Sequence, residues 1–351
     1  MKTKNDYQIL GIMSGTSLDG VDLALCKFSK NKKWEYEILK TKTILYSKDW
    51  KARLNYLHQK SNEEIAKTNY EYGKYLGTLI LKFKKEYNLS FDYIASHGHT
   101  IFHQPENNLT LQIGCGETIS ESTEITTINN FRNLDISLGG QGAPLVPIGD
   151  LHLFTEYKYC LNLGGFSNIS IKEKGEIIAF DICPVNIVLN QLSRDLYFEF
   201  DKNGGLAKDG NLIPELLNKL NKLDYYKQKP PKSLAREWME KSINPLLKSK
   251  QRTEDILHTL CEHIAIQISH HLIDGKALFT GGGVFNTYLM GRIKHFSKSE
   301  IIVPSKEIIE FKESLIFAFL GVLRLRNEIN CLKSVTGARK DNCGGIIHTY
   351  S

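Results

Sequence analysis

The chain has 351 residues, of which 41% are hydrophobic, 24% charged and 10% aromatic. That length exceeds one compact core, and the mix excludes a disordered chain, a collagen-like repeat and an extended coiled coil. Its 45 Lys and Arg against 39 Asp and Glu leave a net charge of +6, spread thinly enough that a solvated surface accounts for it and no nucleic-acid partner is required. Seven cysteines without a CxxC pair point to a reducing cytoplasm rather than a disulfide framework or zinc site. No apolar run reaches membrane-span length, and the opening residues lack a secretory signal, so no membrane association is expected.

In chain order, the apolar runs at 7–11 and 21–28 flank Met13-Ser14-Gly15-Thr16-Ser17-Leu18-Asp19-Gly20, which reads as strand, glycine hairpin, strand. A long helix follows, opened by a Ser61/Glu64 capping box, with Ile65, Tyr72, Leu76, Leu79, Ile80 and Phe83 at helical spacing. Asn69 interrupts that stripe. Residues 91–96 read as a buried strand ending at a loop. The Gly- and Pro-rich stretch 137–147 reads as an ordered crossover between two lobes. Strand, glycine turn and strand then recur over 159–171, a helix spans 253 to about 274, and a strand at 276–280 delivers Gly281-Gly282-Gly283. The class is α/β.

Three glycine turns each follow a probable strand: Gly15 to Gly20, Gly164-Gly165, and Gly281 to Gly283. Glycine lets backbone N–H groups approach phosphate oxygens without a Cβ in the way, although any one such turn could be a simple strand connection. The first turn adds hydroxyls and the carboxylates Asp19 and Asp22, which suit a polyphosphate only with a cation between them. A magnesium nucleotide meets both demands. No P-loop or GxGxxG motif is present. Asp181 follows the apolar run 177–180 and precedes Pro184; it suits a general base at a strand tip, a helix N-cap is the commoner role for such an aspartate taken alone, and one residue can do both.

Further residues admit simpler readings. His97, His99 and His103 lack a carboxylate or cysteine to complete a metal set, so loop or sugar contacts are expected. Cys183 reads as buried filler rather than a nucleophile. His258, His263, His270 and His271 read as the solvated face of the helix after 253.

The stretch Gly11-Ile12-Met13-Ser14-Gly15-Thr16-Ser17-Leu18-Asp19-Gly20-Val21-Asp22 closely resembles the opening signature of the anhydro-N-acetylmuramic acid kinases. The resemblance continues through Ser96-His97-Gly98-His99-Thr100, Phe131-Arg132, Gly139 to Pro147, Asn162 to Asn168, Asp181 with Pro184 and Asn186, Pro231-Lys232-Ser233 with Arg236-Glu237, Gly281 to Gly283 with Asn286, and Thr336-Gly337-Ala338. It implies a two-lobed actin-like ATPase fold of the ribonuclease H-like type, with a duplicated core and a central cleft. The expected lobes are 1–135 joined by the tail 331–351, and 136–330.

What the resemblance implies is an ATP-dependent kinase of peptidoglycan recycling. It opens the 1,6-anhydro ring with water and phosphorylates O6, giving N-acetylmuramic acid 6-phosphate and ADP. Asp181 matches the catalytic base. Gly15, Thr16, Ser17, Leu18, Asp19, Gly20, Val21 and Asp22 would wrap the phosphates, with Mg²⁺ beside Asp19. Gly164 and Gly165 would form the second phosphate turn, and Gly281, Gly282 and Gly283 would meet the adenosine. His97, Arg132 and Glu313 would contact the sugar. A cytoplasmic homodimer is expected. The chain departs from the family after the base, where Ile182-Cys183-Pro184-Val185-Asn186 replaces Thr-Gly-Pro-Gly-Asn, and His99 stands where glutamine is usual. Two alternatives stay open: a kinase for another amino sugar, and a nucleotide-binding regulator of the same fold without sugar turnover.

Overall fold

A computed structural model describes residues 5–15, 18–248 and 251–350. Twelve strands are present among them: β1 (Asp6–Ser14), β2 (Gly20–Lys30), β3 (Trp34–Leu45), β4 (Tyr93–Gln104), β5 (Leu109–Ile113), β6 (Thr126–Asn129), β7 (Tyr159–Leu163), β8 (Phe166–Glu173), β9 (Glu176–Pro184), β10 (Lys276–Thr280), β11 (Glu300–Ile302) and β12 (Ile346–His348). The chain divides into two compact units, Met1–Leu153 with Phe311–Ser351, and Phe154–Glu310.

The first unit holds a sheet ordered β12-β6-β4-β1-β2-β3, with β5 beside β4. β1, β2 and β3 run antiparallel, whereas β4 lies parallel to β1 and β6 parallel to β4. The helix Asn62–Glu86 covers one face. Its Tyr72, Leu76, Ile80 and Phe83 pack with Leu10, Ile12, Leu23 and Leu25 of β1 and β2. Ser61 caps it by accepting from the Glu64 N–H. Asn69 does not weaken the helix. Its carboxamide oxygen accepts from the Gly114 N–H at 2.7 Å and so anchors the loop after β5.

From Phe311 onward the helix Lys306–Leu325 also belongs to this core, where Phe319 packs on Phe28 and Trp34. Gly11 lets the helix approach β1: a Cβ there would stand 1.9 Å from the Ser314 carbonyl oxygen. Gly321 similarly abuts Ala95 and Ile9. These contacts draw residues 311–330 into the first unit. The 137–147 stretch also folds within that unit, where Asp135 Oδ2 accepts from the Gly142 N–H at 2.8 Å. The units therefore part after Leu153 and rejoin at Phe311, rather than at the expected 135/136 and 330/331.

The second unit repeats the plan. Its sheet runs β11-β10-β7-β8-β9, with β7, β8 and β9 antiparallel and β10 and β11 added in parallel. Matching β7-β8-β9-β10-β11 with β1-β2-β3-β4-β6 reproduces the order and direction of every strand. This is the duplicated core of an actin-like α/β fold. Its hydrophobic centre joins Leu161, Leu163 and Phe180 to Ile256, Leu260 and Ile264 of the helix Thr253–Ser269.

Two expectations need correction. β4 does not stop at residue 96 but continues to Gln104 through a bulge at Gly98, whose φ of 73° glycine accommodates. His263 is not on a solvated face. It is 1% exposed, with one ring nitrogen 2.7 Å from Asn221 Oδ1 and the other 2.9 Å from the Tyr226 hydroxyl. The helical period could not reveal this, because residues 214–226 cover the second face of the helix.

Candidate active site

In the first unit, β1 and β2 deliver the turn from Gly15 to Gly20. Leu18 sits in the left-handed region at φ 59°, and its N–H donates to the Gly15 carbonyl at 3.3 Å. Gly20 lies against β3, where a Cβ would meet the Ile44 carbonyl oxygen at 2.4 Å. Asp19 is exposed at the turn, whereas the Asp22 carboxylate accepts from the Thr43 hydroxyl at 2.5 Å. Val21 is buried in the core. Thr16 and Ser17 lie outside the described residues.

The same unit brings His97 and Arg132 together from β4 and the segment after β6. Arg132 donates to His97 Nε2 at 2.8 Å and to the Gly142 carbonyl at 2.7 Å. His97 Nε2 must then be the acceptor, leaving Nδ1–H to donate to the Gly98 carbonyl at 2.9 Å. Burial first, and the Arg132 charge second, hold the His97 pKa well below its usual value. The ring is therefore neutral at pH 7. Glu313 is exposed on the helix Lys306–Leu325, and its charge and that of Arg132 attract one another. No group of three His, Cys, Asp or Glu arranged to hold a metal occurs among the described residues.

In the second unit, the two remaining glycine turns meet. Gly281, at φ 83°, leaves no room for a Cβ beside Asn162 and Leu163, and Gly283 packs on Leu163 just before Gly164. The Gly164 and Gly165 carbonyls accept from the first N–H groups of the helix Asn186–Asp195. Beside these turns lies a cavity of about 460 Å³ lined by Asn186, Asn190, Asp201, Gly282, Phe285 and Asn286, among others. Sequence reasoning missed the 189–203 part of this wall. Its one signal is the polar, glycine-bearing run Asp201-Lys202-Asn203-Gly204.

Asp181 stands on β9, opposite Asn168 and just before a bulge at Ile182 in β9. The helix after it begins at Asn186 with Val185 at the cap, so the N-cap reading of Asp181 does not hold. The half-buried carboxylate accepts from the Leu234 N–H through Oδ2 at 2.9 Å. Burial raises its pKa above the usual carboxylate value, and the Leu234 bond opposes that shift. The residues that depart from the family's loop face inward: Ile182, Cys183 and Val185 are at most 1% exposed in the core. Burial pushes the Cys183 thiol up to about 12, which fits filler and not a nucleophile.

A sequence model of the family described as anhydro-N-acetylmuramic acid kinase matches residues 7–350. Curated anhydro-N-acetylmuramic acid kinases from Bacillus thuringiensis subsp. konkukian (strain 97-27) and Bacillus cereus (strain Q1) are similar, at 32% and 33% identity. Each alignment covers 95% of this chain and 96% of the relative. Among solved structures, the activator of the 2-hydroxyisocaproyl-CoA dehydratase from Clostridium difficile with bound ADPNP matches at a TM-score of 0.45 and 12% identity. That match covers 91% of this chain and 97% of the other. Among the described residues no helix is long and apolar enough to cross a membrane. With nearly its whole length matched by the family and by relatives above 30% identity, the chain belongs to the anhydro-N-acetylmuramic acid kinase family.

Proposed function

We propose that the chain opens 1,6-anhydro-N-acetylmuramic acid with water and transfers the γ-phosphoryl group of ATP to O6, with Asp181 as the base. The observation that carries this reading is the state of the Asp181 carboxylate. It is half-buried, one oxygen is held by a backbone N–H, and the other has no partner among the described residues. Asp181 takes a proton as the water oxygen bonds to the anomeric carbon. The C1–O6 bond breaks, O6 bonds to the γ-phosphorus, and the bond from that phosphorus to the ADP oxygen breaks. The proton then leaves Asp181 for solvent. Burial, opposed by the Leu234 N–H, raises the Asp181 pKa and makes this carboxylate a stronger base than a solvated one.

The remaining residues bind and orient. Gly15 and the Leu18–Asp22 stretch, with Thr16 and Ser17, hold the phosphates. Gly164 and Gly165 form a second phosphate turn, and Gly281 to Gly283 meet the nucleoside beside the cavity. Arg132, held by His97, faces the sugar's lactyl carboxylate or a phosphoryl oxygen, and Glu313 lies at the sugar. Mg²⁺ fits Asp19, an exposed carboxylate beside the turn, since that ion is commonly held by one or two carboxylates plus substrate phosphates. When bound it neutralises phosphate charge. A cytoplasmic homodimer belongs to the same proposal and rests on the family resemblance.

Incubation with ATP, Mg²⁺ and the anhydro sugar in H₂¹⁸O, followed by mass spectrometry, tests the reaction. The expected product carries phosphate on the sugar and ¹⁸O at the anomeric hydroxyl. Phosphorylated sugar lacking ¹⁸O would separate transfer from ring opening and reject the coupled reaction.

A further inference from the structure

β9 is the outermost strand of its sheet, so its free edge presents backbone groups that no neighbouring strand pairs. At Asp181 one segment, residues 225–234, fills that edge. The Asp181 N–H donates to the Lys232 carbonyl at 3.2 Å, and the Tyr225 hydroxyl donates to the Asp181 carbonyl at 2.6 Å. The Leu234 N–H reaches Oδ2 of the side chain at 2.9 Å. Every polar group of residue 181 except Oδ1 is thus engaged by these ten residues.

The segment is itself well anchored. Tyr225 is 5% exposed, and its ring lies 5.1 Å from that of Trp238. Lys232 donates from Nζ to the Tyr225 carbonyl at 3.3 Å, and its ammonium sits over the Tyr225 and Phe180 rings at 4.6 and 5.8 Å. The lysine thereby ties the segment both to itself and to the residue before Asp181. Such contacts resist the small displacements that most damage a reacting geometry.

Resting on the reading of Asp181 as the base, we infer that residues 225–234 form a positioning strap that fixes the Asp181 backbone, holds Oδ2, and assigns Oδ1 as the oxygen that takes the water proton. Tyr225 and Leu234 act through Asp181 and are positioning residues. The Leu234 N–H also sets the proton affinity of the base, because a donor to a carboxylate favours its ionised form. Removing that donor leaves the effect of burial unopposed.

The test compares Leu234→Pro, which lacks the N–H, with Leu234→Ala, which keeps it, in the full chain. In Leu234→Pro the acid limb of kcat/KM for the anhydro sugar moves up by roughly half to one pH unit relative to Leu234→Ala. The ¹³C NMR titration of the Asp181 carboxyl, assigned with Asp181→Asn, moves with it. Coincident titrations in the two folded variants would overturn the strap. Should Leu234→Pro not fold, Tyr225→Phe decides: a roughly tenfold loss of kcat at unchanged KM for ATP supports the strap, and wild-type kcat overturns it. Full turnover in Asp181→Asn would instead remove the base reading on which the strap rests.

Discussion

His99 Nδ1 lies 3.0 Å from Ser14 Oγ, the last side chain of β1 before the first glycine turn. Ser14 Oγ is also 2.5 Å from the Tyr46 hydroxyl, which in turn bonds to that of Tyr72. All four residues are buried. A chain of hydroxyls ending on a neutral imidazole thus supports the base of the turn, and a histidine serves where the family usually has glutamine. Ser14→Ala removes the link between the imidazole and the Tyr46 hydroxyl and leaves His99 Nδ1 buried without that partner. It is expected to cost about 1–3 kcal/mol in denaturant unfolding. His99→Gln, which restores a side-chain amide, is expected to cost less than His99→Leu.

The same ring governs a pH dependence. Burial lowers the His99 pKa to about 4, and His271 is lowered to about 4 and His263 to about 3 by the same cause. An unfolded histidine titrates near 6.5. Between that value and the folded pKa the unfolded chain binds more protons, so stability is fully present above about pH 6.5 and is lost as pH falls toward 4. Unfolding free energies measured from pH 7.5 down to 4.5 are expected to fall steeply, with His99→Gln showing a shallower slope. A flat profile over that range would contradict the burial of these rings.

Arg132 makes a second kind of prediction. Its guanidinium bridges His97 Nε2 and the Gly142 carbonyl, and a lysine ammonium cannot reproduce that fork. Arg132→Lys keeps the charge and loses the geometry. The expected result is a KM for the anhydro sugar raised about tenfold or more, corresponding to roughly 1.5 kcal/mol or more for a charge-assisted bond, with KM for ATP little changed. Steady-state kinetics with each substrate varied in turn would check it.

Much of this was legible before the fold. The glycine turns and the Ser61 cap announce themselves because local backbone geometry restricts which residues can serve there. The strand-turn-strand pattern is likewise visible at the opening of each unit, whereas the duplicated core was implied by the family resemblance. What could not be read depends on partners distant in sequence. Nothing local says that His263 meets Asn221 and Tyr226, that Asn69 holds Gly114, or that residues 225–234 close the edge of β9 at Asp181. The division at 153/154 was missed for a related reason, since the stretch 137–147 reads as a crossover between lobes until the contact of Gly142 with Asp135, and that of Asp150 with Lys312, are known.

Two glycines should respond oppositely to alanine. Gly11→Ala would push a methyl group into the Ser314 carbonyl and the Ala318 side chain, displacing the helix that carries Glu313. It is expected to cost about 1–3 kcal/mol or more, as overpacking against backbone does. Gly291, inside the helix Thr287–Phe296, has nothing within 4 Å of where an added methyl group would lie, so Gly291→Ala should gain about 0.5–1 kcal/mol from reduced chain entropy. Thermal melts of both variants provide the comparison.

Lys312 and Asp150 form a close ion pair at 2.7 Å, with side chains only 7% and 2% exposed. Asp150 lies shortly before the chain leaves the first unit, and Lys312 directly after it returns. Removing one partner strands the other charge in a site that water cannot reach, which costs far more than the pair contributes. Lys312→Met is therefore expected to destabilise the first unit by about 3–5 kcal/mol. Lys312→Met combined with Asp150→Leu removes both charges and should recover most of that loss, because a packed apolar pair needs no compensation. Denaturant unfolding of the two single variants and the double variant decides the matter. Additive losses would show that the two side chains act independently, and recovery would show that burial of an unpaired charge, rather than loss of attraction, sets the penalty.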